Sequence, residues 1–123
     1  MPMKKKNVLL VEDDEFLRTL YTDLLKDIYT LDVAKDGEEA YLKIQNKELD
    51  LVLLDIILPK MSGVEVVEKL KVEHPEVLKK NIVFLTNLDR NEMVQKVTKL
   101  GYSYLIKSDL NPDEFLGKVK ELV

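Results

Sequence analysis

Short apolar runs alternate with stretches of helical spacing along the whole chain. The runs cover residues 8–11, 31–34, 51–54, 82–85 and 102–106. Runs of this length, bounded by polar residues, predict strands, and the uninterrupted ones predict strands buried on both faces. The second is the weakest, because Asp32 interrupts it. Between the runs, apolar residues recur at i, i+3 and i+4. Leu17, Leu20, Tyr21, Leu24 and Ile28 mark a first helix, and Ala40, Tyr41 and Ile44 a second, which opens at Asp36 with Glu39 three residues on. Ser62 and Glu65 have capping-box spacing ahead of a third. Met93, Val94, Val97 and Leu100 mark a fourth, with Gly101 where a C′ residue belongs. Asn111, Pro112, Asp113 and Glu114 supply a cap, a proline at the first helical position and two acids on the positive end of a dipole. Phe115, Leu116, Val119 and Leu122 form the inward face of that fifth helix.

Five strands alternating with five helices predict a parallel sheet with right-handed crossovers and helices on both faces. The expected fold is therefore α/β and doubly wound, with residues 1–123 as a single domain. The length of 123 residues suits one such unit. No repeat, low-complexity tract or linker divides it.

Composition narrows the function. Hydrophobic residues at 46% allow a real core, and charged residues at 34% give a well-solvated surface. A net charge of −4 argues against non-specific nucleic-acid binding, which wants a basic face. Lys4, Lys5 and Lys6 read as a solvated N-terminus. The absence of cysteine excludes disulfides, thiolate metal sites and cysteine nucleophiles, and suits a reducing cytoplasm. The apolar run after the N-terminal lysines is too short for a signal peptide, and no stretch is long enough to span a membrane.

The candidate chemistry lies at the strand ends, where ligands of doubly wound folds bind. The first run ends in Glu12, Asp13 and Asp14, the third at Asp55, the fourth at Thr86 and the fifth at Lys107. In a parallel sheet all of these project from one edge. Asp55 follows four apolar residues and precedes three, and a carboxylate inside such a strand would cost several kcal/mol, on the order of a buried unpaired charge. Placing it at the end of the strand, with residues 56–58 opening a loop shaped by Pro59 and Gly63, is expected to relieve that cost. Carboxylates converging on one spot need a positive partner. Hard oxygen ligands without nearby His or Cys favour Mg²⁺ or Ca²⁺ over zinc, and too few side chains for a calcium cage favour Mg²⁺. With Lys107 as a point charge for phosphate and Thr86 as a hydroxyl donor, the set points to phosphoryl transfer with Asp55 as nucleophile. Taken singly, each residue has a plainer reading: helix-capping or dipole-favouring acids, a β-forming threonine, a solvated lysine.

The motifs "VLLVEDDEFLR", "LVLLDIILPKMSGVE", "IVFLT" and "YLIK" resemble the receiver domain of two-component response regulators across nearly the whole chain. The resemblance implies a flavodoxin-like (βα)5 fold with strand order 2-1-3-4-5. It implies that Asp55 is the phosphoacceptor, that Glu12 and Asp13 rather than Asp14 hold Mg²⁺, and that the main-chain carbonyl of Ile57 completes the metal shell. It makes Thr86 the switch hydroxyl, Lys107 the phosphate partner and Tyr104 the switch aromatic. For Tyr104 the plainer alternative is ordinary strand packing. Two positions depart from the pattern. Ser108 stands where the family usually has proline, often in a cis bond, and Asn87 where it usually has a small residue, with narrower access to the phosphoryl group as the expected effect.

The expected function is that of a phosphoacceptor switch: a histidine kinase or histidine phosphotransfer protein donates, and a protein target reads the face made by the fourth helix, fifth strand and fifth helix. It is not expected to be an enzyme turning over external substrate, nor to bind nucleic acid or membrane, and its expected location is cytoplasmic. The chain ends at Val123, where the last helix should finish, so output is expected through protein contacts unless the chain is a fragment of a larger regulator. His74, the only histidine, reads as a surface residue. An aspartate-nucleophile phosphatase or phosphotransferase is the alternative, but it would want a second acid two residues after the nucleophile, where Ile57 stands. A flavin or nucleotide carrier would want glycines and hydroxyls after the first strand, where three acids stand.

Overall fold

The computed structural model describes residues 4–87 and 92–123. Five strands form one parallel sheet: β1 (Asn7–Val11), β2 (Thr30–Ala34), β3 (Leu51–Asp55), β4 (Asn81–Thr86) and β5 (Ser103–Ile106). Their order is β2-β1-β3-β4-β5, as the resemblance implies. The helices are α1 (Glu15–Leu25), α2 (Gly37–Ile44), α3 (Gly63–Glu73), α4 (Glu92–Lys99) and α5 (Pro112–Leu122), with 3₁₀ turns at Pro75–Lys79 and Lys107–Asp109.

Successive side chains on a strand point to opposite faces, and the core divides accordingly. Leu9, Val11, Val52, Leu54 and Phe84 meet Ala40, Ile44, Val67, Leu70 and Val97 from α2, α3 and α4. Val8, Leu10, Leu51, Leu53, Val83 and Leu85 meet Tyr21, Leu25, Phe115 and Val119 from α1 and α5. Tyr21 and Phe115 stack with centroids 4.2 Å apart, joining those two helices. The central strands are buried on both sides, which is why their sequences are continuous apolar runs. β2 is an edge strand, so Asp32 sits in solvent, 3.0 Å from the Lys43 ammonium.

The helix starts follow their caps. Asp14, Asp36, Ser62 and Asn111 each accept a hydrogen bond from the backbone N–H three residues on, and the last two complete capping boxes with Glu65 and Glu114. Gly101 ends α4 at φ 88°, with its N–H on the Thr98 carbonyl and that of Tyr102 on the Val97 carbonyl. This is the Schellman arrangement, which favours glycine at that position. One expected core residue is misplaced: Ile28 lies beyond the end of α1 and is exposed, and Tyr29 is buried instead. The chain turns after Leu25, so the helical period no longer governs which residue faces inward.

Candidate functional site

The carboxyl ends of β1, β3, β4 and β5 meet at one edge because their registers align. Val11 pairs with Leu54, Asp55 with Leu85, and Thr86 with Ile106. Glu12 follows β1 and Lys107 follows β5, so four strand ends deliver their functional side chains at nearly one level. Among the described residues the buried polar or charged side chains are Glu12, Asp55, Thr86 and Lys107, all at this edge.

Their contacts are close. The Lys107 ammonium donates to Asp55 Oδ2 at 2.7 Å and to Glu12 Oε1 and Oε2 at 2.7 and 3.0 Å. Asp13 is exposed, and one carboxylate oxygen from each of Glu12, Asp13 and Asp55 lies within 4.8 Å of the others. The Ile57 N–H makes a long contact of 3.4 Å to Asp55 Oδ1. A cleft of about 420 Å³ opens over the group, lined in part by Asp13, Asp55, Ile57, Thr86, Asn87 and Lys107.

One expectation is corrected here. Ending the strand at Asp55 does not expose it: Asp55 is 5% accessible, and the following Ile56 is fully buried. The burial cost is met instead by Lys107, whose fifty-two-residue separation in sequence hides the pairing. One ammonium shared between two buried carboxylates leaves the cluster short of positive charge. Burial, followed by the adjacent Asp55 carboxyl, pushes Glu12 up to about 8. Burial alone would lower Lys107, but its hydrogen bonds to Asp55 and Glu12 outweigh that and hold it above its ordinary value. Oxygen-only donors, close-set acids and an open cleft fit Mg²⁺, which tolerates few protein ligands.

Other positions sort clearly. Asp14 caps α1 by accepting from the Leu17 N–H at 2.9 Å, so it takes the helix-start role. Tyr104 does not line the cleft; it is half-buried against the apolar layer under α2, α3 and α4. Ile57 is an exposed apolar side chain. The Ser108 hydroxyl donates to the Asn87 carbonyl at 3.3 Å, so the two departures from the family pattern touch each other. His74 ends α3 with its side chain 42% accessible. Arg18 is a participant that the sequence does not disclose. Its guanidinium donates to the Glu12 and Asp13 carbonyls at 3.1 and 3.2 Å, bracing the acidic turn from α1. An arginine on an amphipathic helix reads as solvated, so no local signal marks it.

The strand ends of this doubly wound sheet thus gather an acidic cluster around one buried lysine. The match to known proteins is specific. Residues 8–120 fit the response regulator receiver domain model, and the chain belongs to that family. Receiver domains are the phosphoacceptor switches of two-component signalling. The chain is 35% identical over 121 residues to a gliding motility regulatory protein of Myxococcus xanthus, covering 97% of this chain and 15% of that protein. It therefore spans less than a sixth of that relative's length. The chemotaxis response regulator CheY4 of Vibrio cholerae superposes with a TM-score of 0.84 at 27% identity, covering 98% of this chain and all of that one. CheY in a CheX–CheY–BeF3–Mg²⁺ complex from Borrelia burgdorferi superposes at 0.78 and 26% identity, covering 94% of this chain and 87% of that one. No helix among the described residues is long and apolar enough to cross a membrane.

Proposed function

We propose that Asp55 accepts a phosphoryl group from a phosphohistidine on a histidine kinase or histidine phosphotransfer protein. One observation carries this reading: the Asp55 carboxylate lies at the floor of an open cleft with the Lys107 ammonium 2.7 Å away. An Asp55 oxygen attacks phosphorus in line, the phosphorus–nitrogen bond breaks, and the imidazole leaves with the electron pair. Glu12, Asp13, Asp55 and the Ile57 carbonyl would hold Mg²⁺, which supplies positive charge to the phosphoryl oxygens. The Mg²⁺ in the Borrelia complex supports this assignment. Lys107 is a second cation for the same oxygens, and Thr86 a hydroxyl donor.

The acyl phosphate carries about −1.5 to −2 of charge where the Asp55 carboxylate carried a single negative charge, at a cluster that holds one buried lysine. Thr86 shares a sheet face with Phe84, and Tyr104 pairs with Phe84 on β5. When Thr86 moves toward the phosphoryl group, Tyr104 is placed to turn into the space it leaves. The face made by α4, β5 and α5 then offers a protein target two states to distinguish. The CheX partner in the Borrelia complex supports a protein target as the reader. In this reading residues 1–123 act as a single cytoplasmic receiver unit that modifies itself rather than turning over substrate. Ile57 leaves no acid in the place a phosphatase mechanism wants one.

The test is intact-mass measurement after incubation with acetyl phosphate and Mg²⁺. One added phosphoryl group is expected in the parent, and none in Asp55→Asn or in EDTA. Equal labelling of Asp55→Asn would place the acceptor elsewhere.

A further inference from the structure

The loop from Asp55 to α3 is fastened at a point outside the cleft. The Gly37 N–H, at the start of α2, donates to the Pro59 carbonyl at 3.2 Å. Gly37 is buried, and a methyl group in place of its hydrogen would overlap the Met61 carbonyl. Lys60, between those two residues, has φ 70°, the one positive φ among the described non-glycine residues. Its ammonium lies 3.5 Å from Asp36 Oδ2 and 3.7 Å from Glu38 Oε2. Asp36 is itself fixed, because it caps α2 by accepting from the Glu39 N–H at 2.8 Å. Ala40 and Ile44 then root α2 in the apolar core. A lysine in the left-handed region persists only where its surroundings over-determine it. Here the surroundings are the start of α2.

We propose that the start of α2, through Gly37 and Lys60, positions the loop carrying the Ile57 carbonyl, and so tunes Mg²⁺ binding from outside the cleft. This rests on the metal assignment above. Gly37 and Lys60 are positioning residues, since neither lines the cleft. Helix propensity by itself would favour alanine over glycine within α2. The obstacle at Gly37 is main chain, however, and cannot rotate away, so a methyl group must push residues 59–61 outward. Ile56 is held by the Gly63 N–H on its carbonyl at 2.8 Å and by its own N–H on the Leu85 carbonyl at 3.0 Å, so the displacement must be taken up across Ile57 and Leu58.

The experiment titrates MgCl2 into parent, Gly37→Ala and Lys60→Gly proteins, following the Ile57 amide in ¹⁵N–¹H spectra. Unfolding midpoints are measured separately in EDTA. Gly37→Ala is expected to weaken Mg²⁺ binding about tenfold or more, the scale seen when groups that orient metal ligands are altered. Lys60→Gly removes both ion pairs and the strain without adding atoms, so it tests the strap even where Gly37→Ala does not fold. A loss of about threefold, smaller than for a direct ligand-orienting group, is expected with the EDTA midpoint retained. An unchanged Mg²⁺ affinity in Lys60→Gly, or in a folded Gly37→Ala, overturns the proposal. So does an equal loss in Val119→Ala, a control that destabilises the opposite face of the sheet. A parent protein that does not bind Mg²⁺ is a distinct outcome, one that overturns the metal assignment itself.

Discussion

The Lys107 ammonium stands 2.7 Å from Asp55 Oδ2, both side chains buried, joined across the sheet from β5 to β3. The same ammonium contacts Glu12 at 2.7 Å. Removing one partner of a buried ion pair leaves uncompensated charge and costs about 3–5 kcal/mol. Lys107→Ala in EDTA is therefore expected to lose about 3 kcal/mol of unfolding free energy, measured by urea denaturation at pH 8. A loss below about 1 kcal/mol, the value of an exposed pair, would show that the three groups do not interact as described.

Glu12 sets a pH dependence. Its pKa in the folded protein is raised from 4.5 to about 8, so the native state binds a proton that the unfolded chain releases. The stability this contributes is complete below pH 4.5 and is lost as pH rises through about 8. Mg²⁺ must displace that same proton. Its dissociation constant is expected to fall roughly tenfold per pH unit between pH 6 and 8 and to level off above. Calorimetric titration in buffers of different ionisation enthalpy should register one proton released at pH 7. A pH-independent affinity would contradict the assigned proton.

Tyr104 is half-buried and does not reach the cleft. Tyr104→Ala is accordingly expected to leave Asp55 labelling within about twofold of the parent, since no transition-state contact is lost. Binding of a target that prefers the phosphorylated form should weaken. Intact-mass labelling and a pull-down of the target with the beryllofluoride-treated protein separate the two effects. Loss of labelling would contradict the switch role.

Phe115 stacks on Tyr21 at 4.2 Å and is 2% accessible. Phe115→Ala is expected to cost about 3–5 kcal/mol, the usual range for a buried phenylalanine. The loss falls on the face of α1 and α5, so Mg²⁺ affinity at pH 8 should hold. Thermal unfolding with and without Mg²⁺ checks both statements.

Much of the fold is legible from residues three or four apart. Ser62 with Glu65 and Asn111 with Glu114 become capping boxes in the structure, and Gly101 ends α4 as its position suggests. These interactions close within one helical turn, so spacing along the chain is enough to see them. The limits show at Ile28, where the helix has already stopped, and at Lys80. The Lys80 ammonium reaches the Ile44 and Asn46 carbonyls at 2.6 Å and closes the end of α2 from a distant segment. Strand order is likewise invisible to periodicity, because apolar alternation constrains which faces are buried and not which strands are neighbours; it came through the family resemblance.

The sequence by itself determined the alternation of strand and helix, the helix caps, and the gathering of Glu12, Asp13, Asp55, Thr86 and Lys107 at strand ends, because each follows from local period or a short motif. Tertiary structure decided the rest. It buried Asp55 and gave it Lys107 as a partner, raised the Glu12 carboxyl above its ordinary range, and pressed Gly37 against Met61. Those outcomes depend on which backbones lie side by side and on how little water remains between charges, and neither quantity exists until the sheet has closed.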